Sequence, residues 1–152
     1  QLRRQLDELT GRINGAYSEF DWTPIRYITR PIAREVLAGF YRRSEAALIT
    51  PLRDGMNLVA KEYVAAQDPA NPGVLILSHF AGAAPEMEEG ILVNPYDPDE
   101  IADALHAALT MGVDERRTRW QALEQEVSRT TAISWAADFM RALEAAPVAG
   151  QS

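Results

Sequence analysis

At 152 residues, 47% of them hydrophobic and 24% charged, the chain is long enough for one domain with its own core and does not have a disordered composition. A formal net charge of −7 with no polybasic stretch argues against general attraction to nucleic acid or to an anionic membrane. Without cysteine there is neither a disulfide nor a thiolate metal site, and no run is apolar enough to span a membrane or to act as a signal peptide, so the expected location is cytoplasmic.

Leu2, Leu6, Leu9 and Ile13 recur at three- and four-residue spacing, which predicts an amphipathic helix ending at Gly15. Gln1 is not a natural start, and a preceding segment is expected. Pro24–Ile28 predicts a short strand, and Ile32, Val36, Leu37 and Phe40 form one face of a second helix. Ala46–Thr50 predicts a buried strand, Asn57–Gln67 a third helix, and Asp68–Gly73 a turn-rich connector. Val74–Leu77 is continuously apolar, as in a strand covered on both faces. Phe80–Ala84 is read as the start of a short helix, and Gly90–Val93 as a strand. Pro98–Met111 predicts a helix with Pro98, Asp99 and Glu100 in its first turn. Two more helices are expected over Asp114–Arg129 and Thr131–Ala145, and then a frayed tail from Pro147 to Ser152.

Strands and helices alternate before three closing helices. The expected fold class is α/β, a Rossmann-like, doubly wound parallel sheet, with four strands in this chain. Such sheets bind ligands beyond the carboxyl ends of their strands. A nucleotide-binding half of this type has more strands, so the first ones are expected upstream.

Thr50–Glu62 lies between a strand and a helix at that edge. Gly55 allows a ligand to approach the backbone. The N–H groups of Met56, Asn57, Leu58 and Val59 are the unpaired donors of a helix start, suited to phosphate oxygen. Asp54 repels phosphate but accepts from hydroxyl groups, and Glu62, further along the helix, suits a vicinal diol. An anion site beside a hydroxyl-reading carboxylate suggests a sugar phosphate or a nucleotide sugar. The other reading of Gly and Asp here is an ordinary helix cap. Val59, Tyr63 and Val64 are expected in the core and Lys61 in solvent. The small residues of Ser78–Ala84 allow a second close backbone approach, with His79 a candidate acid, base or sugar contact or else a polar loop residue. His106 is read as structural or solvent-facing, Glu86, Glu88 and Glu89 as a solvated cluster, and Trp22, Trp120 and Trp135 as too scattered for a carbohydrate platform. Neither histidine has a metal partner at useful spacing.

The run Leu48–Ala66 resembles the signature of trehalose-6-phosphate synthases, glycosyltransferase family 20. Gly11–Gly15, Ser78–Ala84 and Ile91–Asp97 agree with that family in order and spacing. The resemblance implies a GT-B enzyme, with two Rossmann-like domains facing across a cleft. It implies glucose transfer from UDP-glucose to glucose 6-phosphate with retention of configuration, without a metal or other cofactor.

Residues 1–130 would be part of the C-terminal nucleotide-sugar-binding domain, and 131–152 a crossover helix near Trp135 and its tail. The partners would be the two substrates and the N-terminal domain outside this chain, with no nucleic acid and no membrane, and a homo-oligomer is open. The family's Arg and Lys that clamp the donor diphosphate also lie outside the chain, which alone would be inactive.

By the same resemblance, Asp54 would bind donor-glucose hydroxyls and be the residue most tied to catalysis. Gly55, Met56 and Asn57 would offer backbone N–H groups to that sugar, and Leu58 and Val59 would offer theirs to the diphosphate. Glu62 would hold the ribose, and the backbone at Ile32, where some relatives have an aromatic residue, would face the uracil. The alternatives are a related enzyme with another acceptor, such as a glucosylglycerol-phosphate synthase or a pseudo-glycosyltransferase, and a noncatalytic binding domain derived from one.

Overall fold

The structure is a computed structural model that describes residues 2–129 and 131–146. The chain forms two compact units, divided between Ala33 and Arg34.

The N-terminal unit holds helix α1 (Leu2–Tyr17), two residues longer than its apolar spacing predicts, followed by an extended segment. The strand expected at Pro24–Ile28 does not form among the described residues. A strand needs a neighbour's backbone, and here a side chain substitutes for one. The Asn14 amide donates to the Ile25 carbonyl at 2.9 Å and accepts from the Ile25 N–H at 2.9 Å. This two-way bond satisfies one residue of the segment and leaves no ladder to extend.

The second unit holds α2 (Arg34–Arg43), β1 (Ala46–Ile49), α3 (Leu58–Ala66), β2 (Val74–Ser78), a 3₁₀ turn (Ala84–Glu86), β3 (Ile91–Val93), α4 (Pro98–Thr110), α5 (Val113–Arg129) and α6 (Ala132–Ala145). The three strands are parallel in the order β1-β2-β3, so the sheet of this chain has three strands where four were expected. In the pairing, Ala46 lies opposite Val74 and Ile76 opposite Ile91.

The central strand β2 is buried along its whole length, which explains its unbroken apolar run. Alternate residues feed two cores. Leu75 and Leu77 pack with Ala60, Tyr63 and Val64 of α3 and Leu123 of α5. Val74 and Ile76 pack on the other face with Ala104 and Ala108 of α4. Full burial of each such leucine or isoleucine contributes about 1.5–3 kcal/mol, so both faces hold the strand in register. Trp120 joins the first core and donates its indole N–H to the Val64 carbonyl at 3.0 Å.

The connector 68–73 is held by arginines. Arg116 donates to the Pro72 carbonyl at 2.7 Å and Arg117 to the Ala70 carbonyl at 2.9 Å. On α6, Trp135 and Phe139 stack at 5.5 Å and are about half exposed. The expected tail from Pro147 lies outside the described residues. No helix among the described residues is long and apolar enough to cross a membrane.

Candidate functional site

Parallel strands bring their carboxyl ends to one edge, where the loop after β1 meets the loop after β2. Asp54 and Ala81 form an isolated parallel bridge. Around it the Gly82 N–H donates to the Asp54 carbonyl at 2.8 Å, and the Ala83 N–H donates to the Met56 carbonyl at 2.7 Å. The two loops continue the β1-β2 pairing past the end of the sheet.

Gly82 makes this possible, because a Cβ there would lie 2.1 Å from the Gly55 carbonyl oxygen. The close approach expected of Ser78–Ala84 is therefore one of chain against chain, where the sequence suggested a ligand. Gly55 is different. A Cβ on it would meet nothing within 4 Å, so no packing demands a glycine, and the space beside it is open.

Asp54 is half-buried and sits at the centre of the loop. Its Oδ1 accepts from the Met56 N–H at 3.0 Å, and its Oδ2 from the Asn57 side-chain amide at 3.0 Å. Both bonds fix the plane of the carboxylate, while each oxygen keeps further acceptor capacity for a hydroxyl. The Met56 N–H, expected to face a sugar, is thus engaged by Asp54.

Asn57 is the one non-glycine described residue with positive φ, at 76°. Its side-chain oxygen caps α3 by accepting from the Ala60 N–H at 2.9 Å. Asparagine is one of the few residues that tolerates this conformation and caps well. Its cap satisfies the third N–H of the helix. The N–H groups of Leu58 and Val59 meet no acceptor among the described residues, and the first turn carries no acid.

Glu62 lies one turn beyond Leu58, with Oε1 3.9 Å from Arg34 Nη2. Both side chains are substantially exposed, so the pair contributes under about 1 kcal/mol and steers more than it holds. With Leu37 and Tyr41 they border a groove of about 220 Å³ between α2 and α3. The Tyr41 hydroxyl is pushed above its ordinary pKa, first by burial and then by the nearby Glu62 charge.

The structure therefore gathers Asp54, Gly55, Met56, Asn57, Leu58, Val59 and Glu62 along one loop and helix. Ile32, half-buried, belongs to the N-terminal unit. His79 is exposed at the end of β2, its backbone N–H given to the Val93 carbonyl at 3.0 Å. His106 is exposed on α4. Lys61, expected in solvent, is only 15% exposed and pairs at 2.7 Å with Glu86, which itself stays exposed as expected. The reason is the 3₁₀ turn, which brings Glu86 to the side of α3.

Sequence reasoning used only the backbone of Asn57 and missed the double role of its side chain. The signal was present in its type, since asparagine directly before a helical run is a preferred cap. The Asp54–Ala81 bridge had no local signal, because it joins loops that are distant in the chain.

Comparison with known proteins bears on what this loop is for. The family model described as glycosyltransferase family 20 matches residues 1–145. The chain belongs to glycosyltransferase family 20. It is 52% identical over 149 residues to the trehalose-6-phosphate synthase of Sinorhizobium fredii, covering 95% of this chain and 31% of that protein. It is 50% identical over 143 residues to that of Citrobacter koseri, covering 94% of this chain and 30% of the relative. The chain thus spans about a third of the length of the curated relatives it matches.

Among solved structures, the Escherichia coli trehalose-6-phosphate protein bound with UDP-2-fluoro glucose superposes with a TM-score of 0.88 at 50% identity, over 95% of this chain and 32% of that one. The α,α-trehalose-phosphate synthase (UDP-forming) from Burkholderia xenovorans, in complex with glucose 6-phosphate, gives 0.88 at 51% identity, over 93% of this chain and 31% of that one. The α/β expectation and the family 20 resemblance hold for this chain.

Proposed function

We propose that this chain is the donor-binding part of a retaining glucosyltransferase that makes trehalose 6-phosphate from UDP-glucose and glucose 6-phosphate. One arrangement carries the reading: an oriented carboxylate, Asp54, beside two unclaimed N–H groups, Leu58 and Val59, at the carboxyl edge of a parallel sheet. A nucleotide sugar needs both an acceptor for its sugar hydroxyls and donors for its diphosphate. Family membership and relatives bound to a UDP-sugar analogue and to glucose 6-phosphate support the same substrates.

In this reading Asp54 holds the donor glucose by its hydroxyls, with Gly55, Met56 and Asn57 against the same sugar. Leu58 and Val59 receive the diphosphate at the positive end of α3, Glu62 holds the ribose, and the Ile32 backbone faces the base. The acceptor hydroxyl attacks the anomeric carbon from the face the diphosphate leaves. Its oxygen forms the new glycosidic bond as the sugar–phosphate bond breaks, and its proton passes to the departing phosphate oxygen. Catalysis then rests on positioning and on stabilising the charge of the leaving group, with no metal and no protein nucleophile. The acceptor contacts and the rest of the diphosphate clamp belong to the remainder of the protein. Residues 1–130 act as the nucleotide-sugar module and 131–152 as a crossover segment, in a cytoplasmic enzyme.

The test is Asp54→Asn in the full-length protein that carries this chain. Turnover should fall about 100-fold or more, as when one preorganised polar contact to the reacting group is lost. UDP affinity should stay within a few-fold of wild type. Undiminished turnover would sink the assignment.

A further inference from the structure

The edge of the sheet opposite the Asp54 loop, where all three strands begin, carries a second polar hollow. It measures about 330 Å³ and lies between the end of α2, the connector 68–73 and the start of α5. A smaller hollow of about 130 Å³ adjoins it, sharing Glu45, Asn71 and Arg116, and reaches Ala108 and Leu109 in the last turn of α4 and Met111 just after it.

The charge there runs against that of the chain. The protein has a net charge of −7, yet three guanidinium groups line this one hollow. Among the described residues only one has a carboxylate partner: Arg42 stands 3.5 Å from Asp68. Arg116 bonds to neutral acceptors, the Pro72 carbonyl at 2.7 Å and the Asn71 side-chain oxygen at 2.8 Å. Its Nε is covered by the protein and meets no acceptor among the described residues. The Arg43 side chain has no hydrogen bond or ion pair among the described residues.

Arg43 and Arg116 thus bring positive charge to the hollow that no carboxylate within ion-pair distance offsets among the described residues. Asn71, having given its oxygen to Arg116, keeps its NH₂ free to donate. Among the described residues Glu45 is the one carboxylate of the lining without a cation partner, and it accepts but cannot donate.

We propose that this hollow binds a phosphate monoester that also carries hydroxyl groups, at a site separate from the Asp54 loop. Arg43, Arg116 and the Asn71 amide approach from three different segments. That distribution suits the three terminal oxygens of a tetrahedral phosphate better than a planar carboxylate. Glu45 takes a hydroxyl of the organic part, whose carbon skeleton lies towards Ala108, Leu109 and Met111. The site stands at the C-terminal end of α3, whose last carbonyls Arg42 already holds, while the donor loop stands at the other end.

The test titrates inorganic phosphate, then glycerol 3-phosphate, into the full-length protein by calorimetry. Arg43→Gln is the decisive variant, because the Arg43 side chain makes no hydrogen bond or ion pair among the described residues and is exposed. It should weaken phosphate binding about tenfold, the loss of one charge-assisted bond. Val59→Glu, which fills the anion-binding N-terminal end of α3, should leave binding in the hollow as in wild type. Glycerol 3-phosphate should bind more tightly than phosphate, and Glu45→Gln should abolish that advantage. Equal phosphate affinity in Arg43→Gln would overturn the proposal. So would loss of all binding in Val59→Glu, which would place the phosphate at the donor loop alone. No gain with glycerol 3-phosphate would overturn the hydroxyl assignment.

Discussion

Helices α3 and α4 both follow a strand of the same sheet and both start at its carboxyl edge, but they treat their first turns in opposite ways. At α4 the start is closed. Pro98 has no N–H to offer, and Asp97 accepts from both the Asp99 and Glu100 N–H groups at 3.1 Å. Two acids in the first turn then add negative charge where the helix dipole is positive. At α3 the cap is a neutral amide that takes a single N–H, no acid follows, and two donors stay open. The closed start gains stability from its own side chains. The open start forgoes that gain, and its positive end is left for an anion from outside.

The strongest way to break the contrast is to write the α4 pattern into α3. Leu58 and Val59 are exposed at 61% and 44%, so Leu58→Asp with Val59→Glu disturbs no core. The pair should stabilise the helix by about 0.3–1 kcal/mol per acid through the dipole. It should weaken binding of UDP-glucose about 100-fold or more, because two carboxylates would then stand where the diphosphate is received. Thermal denaturation and calorimetry read the two effects, and they should move in opposite directions. A variant that binds the nucleotide as wild type would remove α3 from the donor site.

Asn57→Ala comes next. It should cost about 2–3 kcal/mol in urea denaturation, combining a lost cap with a left-handed conformation that alanine resists. Asn57→Gly keeps the conformation and should cost markedly less. Asp97→Ala should cost about 1 kcal/mol, the ordinary value for a cap, and leave nucleotide binding unchanged. Equal effects of Asn57→Ala and Asp97→Ala on nucleotide binding would erase the distinction between the two starts.

The contrast was only partly legible in the sequence. Pro98, Asp99 and Glu100 announce a helix start directly, and the α3 boundaries follow from the apolar spacing and from Asn57. Burial of β2 is legible too, since four apolar residues in a row are what a strand covered on both faces requires. Long-range partners decided the rest. Pro24–Ile28 has strand-forming residues but takes its backbone bonds from Asn14. Lys61 reads as a surface lysine until the 3₁₀ turn brings Glu86 to it. Both depend on contacts that no local pattern encodes. The Met56 N–H differs: Asp54, two residues earlier, accepts it in a local turn that the residue type itself suggests.

The smallest effect separates the two helices by their buried faces. Helix α4 buries Ala104 and Ala108, neither of which titrates, whereas α3 buries the phenol of Tyr63, which is 1% exposed and donates to the Ser44 carbonyl at 3.3 Å. Burial raises the pKa of Tyr63 above its ordinary value of 10.0, and the positive charge of Arg116 opposes only part of that shift. The folded state therefore keeps this proton after the unfolded chain has begun to lose it. The stability linked to Tyr63 is fully present below the unfolded value and declines as pH rises beyond it, towards the raised folded value. In that alkaline window wild type should lose about 1.4 kcal/mol per pH unit more than Tyr63→Phe. At neutral pH the variant should be the less stable by about 1 kcal/mol, for the lost hydrogen bond. Denaturation midpoints of the two proteins measured across pH 8 and upward should therefore converge as alkalinity rises. Parallel curves would mean that the phenol of Tyr63 ionises as easily in the folded protein as in the unfolded chain. The buried face of α3 would then have no more pH dependence than that of α4.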